Sequence, residues 1–433
     1  MIKIIPIKGE IDNEIKAPPS KGHTLRALFV ASLADGKTIL KNPLLAEDQH
    51  YAIRALKKFG IGFSIKNNKV EVSGSGGNLK LPDEKIFIGN SGLCARFFSS
   101  FAALAPDGKI IIDGVKRMRD GRPIQDLINA LQQLGVKIRS ISGNGCLPIE
   151  IAGKSFLGGR TKLKGGISSQ YFSSILISAP YGKKNTTIEC SGKISSRPYI
   201  DITQQMMEDF GVKMINTKYK KFFIKNNQRY RARTYQIEGD YTNSSYFMAA
   251  TAICGGKIRI GNLRSDSAQG DKIFPELLKK MGCQVKKGKQ EIEIKCMGKL
   301  KPIKKIDMNF YPDLVPTLAV VSAFIKGKTE IYNIGHLRFK ECDRLMAMAT
   351  ELRKIGVKVK EKKGGLVIEG DPQKIRGAAI DCYNDHRIAM AFSVVGLKTP
   401  DIIIKNEECV KKSFTDFYRT FKKIGGKYKY VKT

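Results

Sequence analysis

Hydrophobic and polar positions recur along the chain in one order: the end of an amphipathic helix, written apolar-x-x-apolar-Gly, followed by an alternating stretch of strand. It reads LKKFGIGFSI, LQQLGVKIRSI, MEDFGVKMIN, LKKMGCQVKK, LRKIGVKVKE and, more loosely, FKKIGGKYKY. The glycines are Gly60, Gly135, Gly211, Gly282, Gly356 and Gly425, spaced 75, 76, 71, 74 and 69 residues apart. A glycine just past an apolar stripe predicts the left-handed stop of a helix, since without Cβ it takes positive φ at little cost. Alternation after it predicts a half-buried strand. Most copies then turn and return as a second strand, in NNKVEVSG, CLPIEIAG, KFFIKNN, QEIEIKCMG and GGLVIEG. Six units of about seventy residues, each mixing helices with short strands, predict an α/β protein of repeated modules. An open solenoid has the same period. The charged motifs differ from unit to unit, however, which suits a closed structure with one asymmetric site.

Composition changes this picture little. A chain of 433 residues buries large cores and predicts two or three domains. With 42% hydrophobic and 27% charged residues it is of ordinary soluble type. MIKIIPIKGEIDNEIKAPPS lacks the apolar run of a signal peptide, and the longest apolar stretch, PTLAVVSAFI, is too short to span a membrane. Nine scattered cysteines without a C-x-x-C pair predict free thiols in a reducing cytoplasm. The formal charge of +36 points to anionic partners or to a lysine-rich surface, and by itself names no ligand.

Candidate chemistry gathers where a polar stretch leads into an apolar helix. APPSKGHTLRALFVASL presents Ser20, Lys21 and Arg26 at a helix start, where unpaired N–H groups suit an anion or simply a cap. IGNSGLCARFF offers Asn90, Gly92 and Arg96; DGRPIQDLINAL offers Arg122. Ser168, Ser169 and Gln170 in GGISSQYFSSILISAP, with Ser196 and Tyr199 in SSRPYIDIT, bind phosphate oxygens without adding charge, or cap helices. Asp313 in FYPDLVPTLAVV reads as an N-cap or as a base. YNDHRIAMAFSVV sets Asp385, His386 and Arg387 ahead of an apolar helix, and CVKKSFTDF sets Lys412 before a short one. In GHLRFKECDRLMAMATELRKIG an amphipathic helix begins at Leu345. Continued backward it places Lys340 and Arg344 on one face, at a cost of roughly 0.2–0.5 kcal/mol. Brought together, Lys21, Arg122, Lys340, Arg344, Arg387 and Lys412 outnumber Asp313 and Glu341 and call for two anionic ligands to neutralise them. No Cys/His cluster or H-x-x-x-H spacing suggests a metal.

In this order the motifs PSKGHTLR, GNSGLCAR, RPIQDL, SSQ, PYIDIT, EGD, PD, RFKECDR, NDHR and KSFTDF resemble the enolpyruvyl transferases, over essentially the whole chain. The resemblance is to the branch acting on shikimate 3-phosphate. It implies a two-domain inside-out α/β barrel, each domain three βαβαββ units, divided as 1–19 with 239–433 and an inserted 20–238. The active site is expected in the cleft between them. The implied reaction moves the enolpyruvyl group of phosphoenolpyruvate to the 5-hydroxyl of shikimate 3-phosphate, in the shikimate pathway to aromatic amino acids. Asp313 is then the proton acceptor, Glu341 the proton donor, Lys21 a cation touching both substrates and His386 a secondary relay. Arg26, Ser168, Ser169, Gln170, Ser196 and Lys340, with Lys21 and Asp313, match shikimate-phosphate positions. Asn90, Gly92, Arg122, Gln170, Arg344, Arg387 and Lys412, with Lys21, match phosphoenolpyruvate positions. No cofactor, nucleic acid or membrane is implied, and a cytoplasmic monomer is expected.

Some residues depart from the family pattern. Gly22 stands where Ser is usual, His336 where some members have Asn, Leu93 where Thr is common, and Phe97 where Pro is frequent. The first two leave open a paralogue acting on another phosphorylated alcohol. The branch acting on UDP-N-acetylglucosamine carries a cysteine five residues before the arginine that matches Arg122; here that residue is Arg117. A nucleic-acid-binding protein would interleave basic residues with aromatics, whereas this chain has no tryptophan and puts its basic motifs at helix starts.

Overall fold

All six repeat glycines adopt positive φ, between 84° and 118°, in the computed structural model, which describes residues 1–431. Each follows an amphipathic helix and precedes a strand: Gly60 lies between Glu47–Lys58 and Gly62–Lys66, Gly356 between Arg344–Lys354 and Lys358–Lys362. The return strands form at Lys69–Ser75, Ile149–Ala152, Lys221–Ile224, Glu291–Cys296 and Gly365–Gly370.

Among the described residues the strands make six four-stranded sheets of one design, a parallel pair at one edge followed by two antiparallel neighbours. The sixth sheet lacks a return strand of its own. Ile2–Ile5, from the start of the chain, fills that place, with Ile2 opposite both Ile404 and Tyr430. Likewise Thr234–Gln236 supplies the parallel edge beside Asp35–Lys41, and Ile11–Lys16 the edge beside Gly256–Gly261. These borrowed strands follow the division of the chain into two compact units, Met1–Pro18 with the chain from Glu238 onward, and Pro19–Ile237.

Each unit has helices of two kinds. Amphipathic ones lie outermost. Three others have no exposed residue: Lys21–Leu33, Gly92–Phe101 and Ser169–Ser178 in one unit, and Tyr241–Cys254, Val315–Ala323 and His386–Gly396 in the other. An all-round apolar helix is stable only when enclosed, so sheets and amphipathic helices wrap around it. In the unit Pro19–Ile237 Phe29 meets Phe97, Phe98 and Phe101 edge-on at 4.7–5.5 Å. Buried hydroxyls are paired within this interior: Ser100 Oγ lies 2.9 Å from both Ser174 Oγ and Ser178 Oγ, joining two of the helices. No helix among the described residues is long and apolar enough to cross a membrane.

Candidate active site

Five of the six interior helices start on a side-chain cap. Ser20 accepts from His23 N–H, Ser91 from Cys94, Ser168 from Gln170, Asp240 from Asn243 and Asp385 from Arg387. Short polar side chains at these starts satisfy backbone N–H groups that have no helical partner. Candidate site residues lie near these caps in each unit.

In the unit 19–237, Lys21 opens its helix with Nζ 2.8 Å from Asp48 Oδ2, a pair mostly removed from solvent. Arg26, one turn on, is wholly buried and donates to Thr203 Oγ1 (2.7 Å), Gly22 O (2.9 Å) and Tyr199 O (3.0 Å). Burial brings its pKa down to about 10, with Tyr199 opposing, so it stays cationic at neutral pH. Arg122 donates through Nη1 to Asn90 O (3.0 Å). Arg96 donates to Gly92 O (3.1 Å) and Pro123 O (3.2 Å), and burial lowers its pKa to about 10, with Arg122 adding to the effect. Gly92 leaves room for the guanidinium: a Cβ there would sit 2.1 Å from Arg122 Nη2, which would have to shift. Ser169 is buried at the start of its helix beside the cap Ser168. Ser196 has φ 58°, in a turn that Ser195 ties to Gly165 and Gly166 through bonds of 2.9 Å each. Lys21, Asn90, Gly92, Ser168, Ser169, Gln170 and Ser196 thus lie at or just before helix starts of one unit, with Arg26 in the second turn of its helix and Arg122 ahead of the helix Gln125–Gln133.

In the other unit Arg344 is the hub. It is 1% exposed and donates to Asp385 Oδ2 from Nε (2.7 Å), Asp313 Oδ1 from Nη1 (2.9 Å) and Glu341 Oε2 from Nη2 (2.6 Å). Burial works against this cation, but the three carboxylates outweigh it and raise its pKa well above the usual value. Arg387 Nη2 reaches Asp313 Oδ2 at 2.8 Å. Burial alone would raise the Asp313 pKa; Arg387, Lys340 and Arg344 together hold it well below the usual carboxylate range. His386 opens its helix with Nδ1 3.7 Å from Asp385 Oδ1. Lys412 is buried at the end of the 3-10 segment Glu407–Lys412. His336, also buried, is driven down to about 3 by burial and by Lys340, so it is a neutral imidazole.

Three expectations change. Lys340 does not share a helix face with Arg344: the helix begins at Arg344 with Asp343 as its cap, and Lys340 ends a separate 3-10 turn, Gly335–Phe339. The supposed repulsion along the helix therefore does not arise. Nor does Arg344 wait for a ligand to neutralise it, since three carboxylates of its own unit already do. Asp313 is no N-cap. Among the described residues Val315–Ala323 is the one interior helix that lacks a side-chain cap, and the Asp313 carboxylate accepts from Arg344 and Arg387.

Two residues escaped the sequence reading. Asp48, in AEDQH, carried no signal beyond an acid near a helix start. Asp271 is buried, accepts from Thr242 Oγ1 and is pushed up to about 7, first by burial and then by Asp313. Because the folded chain holds this proton more tightly than the unfolded one, stability contributed here is present at acid pH and is lost as pH rises from about 4 to 7. Asp271→Asn should then be near neutral at pH 4 but stabilise at pH 8 by on the order of 4 kcal/mol. Denaturant unfolding of both forms at the two pH values checks this; equal differences at both would refute it. Among the described residues no group of three or more His, Cys, Asp or Glu is placed to hold a metal ion.

A model of the family EPSP synthase (3-phosphoshikimate 1-carboxyvinyltransferase) matches residues 5–421. The 3-phosphoshikimate 1-carboxyvinyltransferase of Trichormus variabilis is 42% identical over 427 residues, covering 98% of this chain and 99% of that protein. The protein of the same name from Methanocaldococcus jannaschii is 40% identical over 423 residues, 98% of each. A solved structure of EPSP synthase from Acinetobacter baumannii aligns with a TM-score of 0.82 at 25% identity, over 99% of both chains. Each unit accordingly has the inside-out α/β architecture of those enzymes, and the chain belongs to the EPSP synthase (3-phosphoshikimate 1-carboxyvinyltransferase) family.

Proposed function

We propose that this chain transfers the enolpyruvyl group of phosphoenolpyruvate to the 5-hydroxyl of shikimate 3-phosphate, releasing phosphate. The observation that carries the reading is the pair of carboxylates on one guanidinium: Asp313 and Glu341 both contact Arg344, and Asp313 also contacts Arg387. Addition followed by elimination needs an acceptor for the hydroxyl proton, a donor to the methylene carbon and cations for the phosphates and carboxylates. In the addition, Asp313 takes the hydroxyl proton while the oxygen bonds to C2 of phosphoenolpyruvate, and Glu341 protonates C3. In the elimination, C3 loses a proton, the C2–O bond to phosphate breaks and the double bond returns.

The low proton affinity of Asp313 without substrate fits this scheme. An incoming anion that draws Arg387 and Arg344 toward itself removes the charges that hold Asp313 deprotonated, and so makes it a better base. Phosphoenolpyruvate is assigned to Lys21, Asn90, Gly92, Arg122, Gln170, Arg344, Arg387 and Lys412. Shikimate 3-phosphate is assigned to Lys21, Arg26, Ser168, Ser169, Gln170, Ser196, Asp313 and Lys340. We take the chain to act as a monomer, and nine free cysteines support a reducing, cytoplasmic setting.

The test is phosphate release from phosphoenolpyruvate with shikimate 3-phosphate as acceptor. Release that depends on both substrates is expected. Folded protein that releases phosphate only with another phosphorylated alcohol would favour the paralogue reading, which Gly22 motivates: its backbone N–H stands where the family usually has a hydroxyl. No release with either would sink the proposal.

A further inference from the structure

Between the strand Ala378–Ile380 and the interior helix His386–Gly396 the chain makes a short turn with two left-handed residues, Tyr383 at φ 50° and Asn384 at φ 54°. Asparagine tolerates that region, but a tyrosine does so only where its surroundings leave no alternative. Asp381 supplies part of the constraint by accepting from Tyr383 N at 3.0 Å. The rest comes from Glu351, on the helix Arg344–Lys354. Its carboxylate, 0% exposed, accepts from Tyr383 Oη at 2.8 Å and from Asp381 N at 3.1 Å. Lys354 Nζ donates to both of its oxygens at 2.8 Å.

Glu351 lies seven residues after Arg344, two helical turns along the same face. One helix face therefore grips the turn at two points. Arg344 holds Asp385 at its end, and Glu351 holds Asp381 and Tyr383 at its start. The turn leads directly to Asp385, which caps the next helix through Arg387 N at 2.9 Å, and to Arg387, which reaches Asp313. A buried carboxylate is costly unless fully paired, and an apolar residue would fill the same space without that cost. Nothing in the proposed chemistry uses Glu351 itself.

We propose that Glu351, acting through Tyr383, is a positioning residue: it fixes the turn 381–385 and thereby aims Arg387 at Asp313 and at phosphoenolpyruvate. The kinetic consequence rests on the enolpyruvyl-transfer reading; the geometric claim does not. Glu351→Gln and Tyr383→Phe are compared with the wild type by steady-state kinetics and by amide hydrogen exchange. In both variants KM for phosphoenolpyruvate should rise about fivefold or more while KM for shikimate 3-phosphate stays within about twofold. Amides of residues 381–387 should exchange about tenfold faster, with the rest of that unit unchanged. A merely structural role would lower the unfolding midpoint and move both KM values together. An unchanged KM for phosphoenolpyruvate, or equal shifts of both, overturns the proposal. Tyr383→Phe removes one hydroxyl and keeps the ring, so it decides the matter should Glu351→Gln not fold. If the wild type releases no phosphate from this substrate pair, the functional reading has failed. Exchange at 381–387 then judges the positioning claim alone, and unaltered protection in both variants overturns it.

Discussion

Asp313→Asn and Glu341→Gln should each lower turnover by about 10²–10⁴-fold, the range for groups that move a proton in the rate-limiting transition state. The accompanying KM values separate this from a binding defect. Asp313 occupies Arg344 Nη1 and Arg387 Nη2 at 2.9 and 2.8 Å. Removing its charge leaves Arg344 Nη1 and Arg387 Nη2 more available to an anionic substrate, so KM for phosphoenolpyruvate should hold or fall while kcat collapses. Loss of kcat without a rise in KM marks an interaction made in the transition state. Glu341 accepts from Arg344 Nη2 at 2.6 Å, and its variant should likewise leave KM nearly unchanged. Steady-state kinetics with each substrate varied in turn provides the check. Near-normal turnover in either variant, or a defect confined to KM, would show that the proton roles are misassigned.

Arg344→Met should destabilise the chain by about 3–5 kcal/mol at neutral pH, because it strands three carboxylates that share one buried guanidinium. Asp385 is 0% exposed, so water does not replace the lost cation there. The loss should be insensitive to salt, which screens buried pairs weakly. Urea unfolding at pH 7.5, at low and high salt, measures both the size of the loss and its salt dependence. A loss under about 1 kcal/mol, or one that disappears in salt, would mean the hub is a surface-like ion pair. Arg344→Lys should recover only part of the stability, since a single ammonium does not reproduce the planar fork that spans three acceptors.

The periodic features of the fold were legible from residue order. Six glycines at near-constant spacing announced the repeats, and all six are left-handed helix stops. The five return strands formed where alternation predicted them. The sixth was not legible, because Ile2–Ile5 pairs with Ile402–Ile404 and Lys427–Tyr430 from the opposite end of the chain. Among site residues, position at the start of an apolar helix was the useful signal. It located Lys21, Gly92, Ser169, Asp313 and His386 at the starts of interior helices. Extending a helix backward across Lys340 failed, because Asp343 caps the chain at Arg344 and ends the helical register there.

Helix stops, caps and apolar periodicity are set by contacts within a turn or two of backbone, so residue order was sufficient to determine them. The charge state of the site was decided only in three dimensions. Arg344 is neutralised by Asp313 and Asp385, 31 and 41 residues away in the chain, and the turn carrying Asp385 is steadied by Glu351 from another helix. Charge interactions depend on distance in space and on the water excluded around them, and neither quantity is encoded in the local spacing of residues.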